Sequence, residues 1–492
     1  MSCISKLFRL YLDYRLRRID AFRRHPVEVQ QAQLKARLEA GRKTAFGRDY
    51  DLRKVTTYEA FARRVPTFDY EAFKPYVERM FGGEKSVTAP GRVGFYARSS
   101  GTTSDRSKYI PITRHSILWN HTLGMRDVVG LYLDAFPASK LLQGRTLTLG
   151  GSCVKEEGNL VGDLSAILLH ETGGWGSSMR APQPATALIA DFEKKIDRIA
   201  KECATQRITA FAGVPSWNLE LMRHVLAYTG KANLLEVWPD MELFLHGGVE
   251  FAPYRQAYRE LIPSDTMHYM ETYNASEGFF AVADDPARDD MLLMLDYGTY
   301  YEFRNGDAVV PLEGVELGKT YAMLITSDNG LWRYEIGDTV TFTSTDPYRI
   351  RFAGRTRQYI NAFGEELIVN NADQALVEAC HKTGAVVSEY TVAPCYMTME
   401  RQGAHEWIVE FEKQPDSVEH FAEELDKALR AVNSDYDAKR LTTIERQHLT
   451  LVERGFFLRW LRARGKNKVP RLVSDRRIAD QLHKVMKQEN KK

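Results

Sequence analysis

The stretch that decides the fold is Phe95-Tyr-Ala-Arg-Ser-Ser-Gly-Thr-Thr-Ser-Asp-Arg-Ser-Lys108. An apolar lead-in runs directly into a segment rich in hydroxyl side chains, with one glycine and a closing lysine. Hydroxyl and backbone N–H groups donate hydrogen bonds to phosphate oxygens, and a lysine adds positive charge. The order differs from that of the common nucleotide loop, G-x-x-x-x-G-K-[ST]. The stretch therefore indicates a second kind of phosphate loop, with an ordinary polar turn as the alternative.

The composition is that of a multidomain globular protein. A length of 492 residues predicts two or three domains, and 44% apolar with 27% charged residues is ordinary for globular chains. The net charge of +2 gives no reason to expect nucleic acid as a partner. Five scattered cysteines without a CxxC spacing argue against a disulfide framework or a zinc site, and they favour the cytoplasm. No apolar run of about 18 residues occurs, so no integral membrane segment is expected.

The order of elements predicts an α/β fold. Residues 1–50 have the apolar spacing of helices, and we expect the first helix to pack on the large domain rather than to touch a membrane. Between about 115 and 330, helices alternate with strands that end in glycine or polar residues, the position where α/β sheets bind ligands. The strands are expected at 147–151, 208–215, 243–248 and 267–270, and one helix at 216–228, capped by Ser216.

The pattern changes twice further along the chain. Closely spaced strands between 292 and 345 predict a β-rich subdomain or barrel. After residue 355 a compact α+β pattern follows, with strands at 384–394 and 406–411 and a helix at 417–432. We therefore predict a large N-terminal domain of mixed sheets flanked by helices, residues 1–356, and a small mobile C-terminal domain, residues 357–492.

Four polar segments occur together in a way that ordinary turns do not explain. They are 99–108, Tyr273-Asn-Ala-Ser-Glu277, Trp332-Arg-Tyr-Glu-Ile-Gly-Asp338, and Gly354-Arg355 with Lys468 far downstream. Together they resemble the adenylate-forming superfamily of acyl-CoA synthetases, peptide-synthetase adenylation domains and luciferases. The sequence is most similar to the acyl acid–amido synthetases, which are the auxin-responsive promoter proteins of plants and their bacterial relatives. Shorter likenesses run nearly end to end: Phe46-Gly-Arg-Asp-Tyr50, Val65-Pro66, Lys74-Pro-Tyr76, Gly213-Val-Pro-Ser-Trp217 and Lys468-Val-Pro-Arg471.

The resemblance implies an ATP site. The β- and γ-phosphates would be bound by the loop residues Ser99, Ser100, Gly101, Thr102, Thr103 and Lys108. Tyr273 would pack on the adenine, Ser276 would reach the α-phosphate, and Asp338 would accept hydrogen bonds from the ribose hydroxyls. Arg355 would support the ribose or a phosphate.

Two further roles follow from the same resemblance. Glu277 would hold Mg²⁺, a hard cation that prefers carboxylate and phosphate oxygens. Lys468, on the mobile domain, would be the catalytic residue, because it would neutralise the charge that develops as a carboxylate attacks the α-phosphorus.

Each of these assignments has a structural alternative. Glu277 could be a charge at a helix start, Asp338 a turn residue, and Lys468 a solvated lysine. His246 and His268 lie in apolar strand contexts and are interpreted as structural. Trp217 and the Gly247-Gly248 turn are candidates for the border of the acyl pocket.

The function implied is an ATP-dependent acyl acid–amido synthetase. A small carboxylic acid would be adenylated with loss of pyrophosphate. The C-terminal domain would then rotate about residue 357, and an amine, an amino acid in this interpretation, would take the acyl group. The alternatives are an acyl-CoA ligase with the same first step and a non-catalytic ligand-binding homologue. We expect a monomer.

Overall fold

The helices and strands of this chain alternate as the sequence predicts. The computed structural model describes residues 3–99, 108–172, 179–248, 251, 254–355, 359–463 and 469–489. The helices are α1 Cys3–Arg24, α2 Pro26–Gly41, α3 Ala45–Asp49, α4 Tyr58–Arg64, α5 Tyr70–Phe81, α6 Arg114–Ser116, α7 Thr122–Ala135, α8 Leu164–Glu171, α9 Pro184–Ala187, α10 Phe192–Cys203, α11 Pro215–Thr229, α12 Arg255–Leu261, α13 Val369–Thr383, α14 Val418–Val432, α15 Ser434–Arg440, α16 Phe456–Arg462 and α17 Arg477–Glu489.

Twenty-one strands lie between these helices in the described residues. They are β1 Phe95–Ser99, β2 Lys108–Ile112, β3 Arg145–Thr148, β4 Cys153–Glu156, β5 Asn159–Gly162, β6 Arg180–Ala181, β7 Ile208–Gly213, β8 Leu243–His246, β9 His268–Ala275, β10 Gly278–Val282, β11 Met291–Leu293, β12 Thr299–Asn305, β13 Ala308–Pro311, β14 Thr320–Ser327, β15 Tyr334–Thr345, β16 Tyr348–Arg355, β17 Tyr359–Ile360, β18 Leu367–Ile368, β19 Val386–Cys395, β20 Ala404–Lys413 and β21 His448–Val452.

One twelve-stranded sheet organises the larger part of the chain. Its order is β13-β12-β14-β15-β16-β11-β10-β9-β8-β7-β3-β6. Strands β6, β3, β7, β8 and β9 pair in parallel, whereas the pairs from β9 to β13 are antiparallel. Parallel neighbours need crossovers, which α10, α11 and α12 supply, and antiparallel neighbours need only short connections. The sheet is therefore parallel on one side of β9 and antiparallel on the other.

The strands between 292 and 345 belong to this same sheet. They form the predicted β-rich part, and β12 to β16 continue the antiparallel half in one open order rather than as a barrel. The reason is β11, a three-residue strand that pairs with β10 on one side and β16 on the other. It joins the two groups of strands into one layer.

A four-stranded sheet, ordered β2-β1-β5-β4, carries the residues around the phosphate loop. Strands β1 and β2 are antiparallel, and their register pairs Ser99 with Lys108. Strand β5 runs parallel to β1 on its other side. The two ends of the hydroxyl-rich segment are therefore held side by side, while residues 100–107 lie outside the described residues.

The C-terminal part is the expected α+β unit. Strands β19, β20 and β21 form a three-stranded sheet in which β19 and β20 are antiparallel and β20 and β21 are parallel. Its apolar side chains share one hydrophobic core with those of β7, β8 and α11. The predicted boundary between residues 356 and 357 lies outside the described residues.

Two local expectations have clear outcomes. Helix α1 packs on the large domain, since the buried Arg15 binds Asp127 at 2.7 Å and Asp296 at 3.0 Å. The cap of α11 was predicted wrongly. That helix begins at Pro215, with Val214 at the N-cap position and no side-chain cap. Proline has no N–H to satisfy and its φ already suits a helix, so Ser216 is not needed as a cap.

Among the described helices, none combines the length and the apolar composition needed to cross a membrane.

Candidate functional site

The tyrosine motif lies on a tight hairpin at the centre of the large sheet. Strand β9 ends at Ala275, β10 begins at Gly278, and these two residues are paired. Ser276 and Glu277 are therefore the two residues of the turn. Glu277 is not at the start of a helix, so the structural alternative considered for it is wrong.

Tyr273 and Asp338 meet directly. The Tyr273 hydroxyl donates to Asp338 Oδ2 at 2.7 Å, and only 8% and 5% of the two residues is exposed. Asp338 lies within β15, so it is not a turn residue. Its carboxylate is oriented by Tyr273, which itself packs edge-on against Phe280 and Phe352 at centroid distances of 5.1 and 5.8 Å. Two residues that the sequence assigned to ATP thus belong to one site.

This contact requires a strongly curled sheet. Three strands, β10, β11 and β16, stand between β9 and β15. Four strand spacings would separate the two strands by about 19 Å in a flat sheet. The curl coincides with two glycines whose φ angles exclude most other residues, Gly337 at +87° and Gly354 at +130°, at the end where Asp338 pairs with Arg355. The backbone of Arg355 therefore neighbours Asp338, and the structure describes no more of that residue.

Lys108 is positioned at the foot of the phosphate loop. Its ammonium group lies 5.4 Å from the centre of the Tyr70 ring, and the Tyr70 hydroxyl accepts a 3.0 Å bond from the backbone N–H of Tyr109. Helix α5 thereby fixes the first residues of β2. Ser99 is described only as the backbone partner of Lys108. The predicted residues Ser100, Gly101, Thr102 and Thr103 lie outside the described residues.

The predicted catalytic residue, Lys468, also lies outside the described residues. The chain that follows it is anchored to β19. Val392 donates its N–H to Arg471 O at 2.8 Å and receives a 3.0 Å bond from Val473 N, and Thr391 Oγ1 donates to Pro470 O at 2.6 Å.

Sequence reasoning missed two asparagines beside the hairpin turn. Asn329 accepts from Thr113 N at 3.0 Å and donates to Glu277 O at 3.1 Å. Asn120 accepts from Phe279 N at 2.6 Å and donates to Tyr297 O at 2.8 Å. The only local signal was Asn329-Gly330, which indicates a turn and says nothing about its partners.

A buried histidine lies against the same motif. His121 is fully buried, and burial lowers its pKa to about 4. Its Nδ1 lies 3.1 Å from Asn274 Oδ1 in the tyrosine motif. The ring is therefore neutral at pH 7.

The histidines interpreted as structural pack on aromatic rings. His246 is buried and stacks on Phe251 at 4.2 Å, and burial lowers its pKa to about 3. His268 stacks on Phe136 at 3.7 Å and bonds the Tyr132 hydroxyl at 2.8 Å.

The two candidates for the border of the acyl pocket, Trp217 and the Gly247-Gly248 turn, lie in different surroundings. A Cβ at Gly247 would lie 2.3 Å from Thr272 O, so β8 and β9 approach each other too closely there for any other residue. Trp217 instead faces the C-terminal part, because the ammonium group of Lys439 lies 3.9 Å from its ring centre.

Solved structures share this architecture. The structure titled AtGH3.15 acyl acid amido synthetase in complex with 2,4-DB superposes with a TM-score of 0.62 at 17% identity and covers 93% of each chain. A 2-hydroxyisobutyryl-CoA ligase in complex with 2-HIB-AMP and CoA superposes with a TM-score of 0.60 at 15% identity, covering 94% of this chain and 92% of the other. The chain therefore has the fold of the adenylate-forming enzymes.

Sequence comparison narrows this class to a family. The GH3 family N-terminal domain matches residues 15–158 and 151–267, the central domain matches 292–355, and the C-terminal domain matches 370–477. Relatives include the indole-3-acetic acid-amido synthetases GH3.4 of Arabidopsis thaliana, 21% identical and covering 76% of this chain and 75% of that protein, and GH3.8 of Oryza sativa subsp. indica, 24% identical and covering 77% and 75%. The chain belongs to the GH3 family.

Proposed function

We propose that this protein is an ATP-dependent acyl acid–amido synthetase. It joins a small carboxylic acid to an amine, an amino acid in our proposal, through an acyl-adenylate. The observation that carries the proposal is the buried hydrogen bond between Tyr273 and Asp338, which joins two segments that are 65 residues apart. Membership in a family whose relatives are named amido synthetases supports the same reaction.

In the first step the hairpin and the phosphate loop bind ATP from two sides. Asp338, oriented by Tyr273, accepts hydrogen bonds from the ribose, and the Tyr273 ring lies against the adenine. Ser276 in the hairpin turn bonds the α-phosphate. Lys108, with the hydroxyl-rich residues from Ser99 to Thr103, binds the phosphates that leave as pyrophosphate. A carboxylate oxygen of the acid then attacks the α-phosphorus, giving acyl-AMP.

Mg²⁺ fits the donors that this site offers. Among the described residues, no three His, Cys, Asp or Glu side chains lie close enough together to hold a metal ion. Mg²⁺ commonly binds through one or two carboxylates together with substrate phosphates, so a single carboxylate on a rigid turn is sufficient. We assign that role to Glu277. When bound, the ion would neutralise phosphate charge during the displacement.

The second step uses the C-terminal part. In our proposal residues 357–492 rotate about residue 357, so that Lys468 serves the first step and leaves the site for the second. The amine nitrogen attacks the acyl carbonyl, an amide forms, and AMP departs with the bonding electrons. Cytoplasmic location and a monomeric state remain predictions.

A CoA thiol is the alternative acceptor. The 2-hydroxyisobutyryl-CoA ligase, with the same fold, carries 2-HIB-AMP and CoA in its structure. Both hypotheses share the adenylation step, so pyrophosphate exchange does not separate them. A non-catalytic homologue would show no acyl-adenylate at all.

The deciding experiment supplies ATP, Mg²⁺, a panel of aryl and alkyl acids, and either mixed amino acids or CoA. Mass spectrometry of the products is expected to show AMP and an N-acyl amino acid. An acyl-CoA thioester without amide would establish the alternative. A complete lack of acyl-AMP with every acid would overturn the proposal.

A further inference from the structure

We propose that Asn120 and Asn329 are positioning residues of the ATP site, acting together as an asparagine clamp on the turn that carries Ser276 and Glu277. The inference rests on the proposed function and deepens it, because it names residues outside the predicted motifs. Neither asparagine is assigned contact with ATP or metal. Each acts through the backbone of the hairpin.

The first half of the clamp connects the turn to the far end of β2, the strand that leaves the phosphate loop. Asn329 is completely buried and uses both ends of its amide: Oδ1 accepts from Thr113 N at 3.0 Å, and Nδ2 donates to Glu277 O at 3.1 Å. Thr113 directly follows β2, the strand that begins with Lys108. One side chain thus ties the residue proposed to hold Mg²⁺ to the far end of the strand that leaves the phosphate loop.

The second half holds the other side of the same turn. Asn120 is 1% exposed, accepts from Phe279 N at 2.6 Å and donates to Tyr297 O at 2.8 Å. The register between β9 and β10 shifts just after Phe279. Asn120 lies in a π-helical turn, Ile117–His121, an irregularity that often accompanies functional sites.

The supports of the clamp are themselves fixed. Asp328, next to Asn329, accepts a 3.0 Å bond from Thr113 Oγ1 and donates its N–H to Gly298 O at 3.1 Å. Gly330 follows with φ of +78°, and a Cβ there would lie 2.6 Å from Thr88 Oγ1. The turn that presents Asn329 therefore has little freedom to shift.

This arrangement matters because a metal ion bound by ligands from two segments tolerates only small changes in the distance between those segments. Mg²⁺ demands near-ideal octahedral geometry, and here its oxygens would come from one carboxylate and from phosphates bound by another loop. A residue that joins the turn to the strand leaving the phosphate loop sets these positions before the ion binds, and loss of such support typically weakens metal binding by about 10–100-fold.

The test uses Asn329→Asp, which keeps the acceptor for Thr113 N and replaces the donor to Glu277 O by a carboxylate oxygen. Asn120→Asp makes the corresponding change toward Tyr297 O. The matched control is Asn371→Asp, because Asn371 in the C-terminal part accepts from Ile368 N at 3.3 Å and donates to Val432 O at 3.0 Å. Each of the three variants removes one hydrogen bond from a side-chain amide to a backbone carbonyl.

The readouts are Mn²⁺ binding in the presence of ATP, followed by electron paramagnetic resonance without any carboxylic acid, and the Mg²⁺ concentration for half-maximal acyl-AMP formation. Melting temperature is recorded alongside. Asn329→Asp is expected to weaken Mn²⁺ binding about tenfold and to raise the Mg²⁺ requirement in step, whereas Asn371→Asp lowers only the melting temperature.

Equal Mn²⁺ binding by wild type, Asn329→Asp and Asn371→Asp would overturn the clamp while leaving the proposed function intact. Wild-type protein that binds Mn²⁺ and ATP but forms no acyl-AMP would overturn the proposed function. The comparison of Mn²⁺ binding between the variants would still test the clamp. If the wild type binds no nucleotide, both fail.

Discussion

At the scale of single residues, the hydrogen bond between Tyr273 and Asp338 is the most exacting feature of the site. A phenol that donates to a buried carboxylate both orients that group and compensates its lost hydration. The ring of Tyr273 is wedged between Phe280 and Phe352, so the hydroxyl has one position available. Loss of this hydroxyl should therefore change the proposed nucleotide site and leave the packing intact.

Tyr273→Phe is expected to weaken ATP binding by about tenfold, since a hydrogen bond to a charged group contributes about 1.5–3 kcal/mol and Asp338 can recover part of this from water. The measurement is isothermal titration with ATP. Tyr301→Phe is the control, because its buried hydroxyl donates to a backbone carbonyl, Met294 O at 3.0 Å, and not to a residue proposed to bind ATP. Unchanged ATP affinity in Tyr273→Phe would remove the main support for the site.

His121 gives a pH-dependent prediction. Burial lowers its pKa to about 4, below the unfolded value of about 6.5. As pH falls through 6.5 the unfolded chain takes up the proton first, so the free energy of unfolding decreases until about pH 4, by about 3 kcal/mol in total. Above pH 6.5 this residue contributes no pH dependence.

His121→Gln should reduce that loss, as measured by urea unfolding at pH 7.5, 5.5 and 4.5. His246 adds a similar decrease of its own, because burial lowers its pKa as well. Wild-type protein measured in the same series is the reference. A profile for His121→Gln that follows the wild type would show that the ring is not protonated on unfolding in this range.

At the scale of elements, the segment before Asp338 turns out to be an anchor for β15. Trp332 stacks on Phe46 at 5.1 Å, and a Cβ at Gly41 would lie 2.5 Å from its ring. Arg333 has a φ of +41° and binds Glu302 on β12 while donating to Ala62 O and Val65 O at 3.0 and 2.7 Å. The N-terminal helices and the sheet thereby fix the start of the strand that delivers Asp338.

Glu302→Gln is expected to lower the free energy of unfolding by about 3–5 kcal/mol, because it leaves the guanidinium of Arg333 buried without a countercharge. Only 5% of Arg333 and 1% of Glu302 is exposed. The exposed pair of Lys319 with Glu316 at 2.7 Å provides the comparison, and Glu316→Gln should leave the free energy of unfolding nearly unchanged. Denaturant unfolding measures both; equal losses would contradict a buried anchor.

Sequence patterns located most elements because their signals are local. Thr57 and Asp69 accept bonds from the N–H groups of Ala60 and Ala72 as N-caps, so the starts of α4 and α5 depend on residues only three positions apart. Ser216 was wrong because a proline start needs no side-chain cap. The barrel alternative was wrong for a different reason. Short, closely spaced strands predict that they pair with one another, but not with which other strands. The position of β11 between β10 and β16 decides that β12 to β16 join the large sheet.

At the scale of the whole molecule, the C-terminal part is docked on the larger part through specific contacts. Lys439 is 8% exposed, and burial lowers its pKa. Its ammonium group lies 3.9 Å from the ring centre of Trp217, and the Tyr254 hydroxyl donates to Ala362 O at 2.6 Å. The rotation that we propose for the second step would have to break these two contacts.

A double-mutant cycle of Lys439→Met with Trp217→Phe should give a coupling energy of about 0.5–2 kcal/mol in urea unfolding, as expected for a partly desolvated cation over an indole ring. The control cycle pairs Lys439→Met with Trp238→Phe, whose indole donates to Cys203 O. That pair should be additive within about 0.5 kcal/mol. Additivity in both cycles would show that the Lys439 contact does not hold the two parts together.

Sequence patterns predicted most of the elements and, through a family resemblance, the proposed reaction. The segments from Ser99 to Lys108, Tyr273 to Glu277 and Trp332 to Asp338 occur in the order of this family, and that resemblance indicated an ATP-using ligase. Residue types are readable because phosphate, ribose and Mg²⁺ each require particular donor atoms.

Which of these residues meet depends on the folded sheet. The curl of the sheet brings β15 to β9 across three intervening strands, so that Asp338 receives the hydrogen bond of Tyr273. It also places Asn329 between Thr113 and Glu277, partners that are 216 and 52 residues away along the chain. Such contacts leave no periodic trace, because they depend on the twist and order of strands summed over the whole sheet.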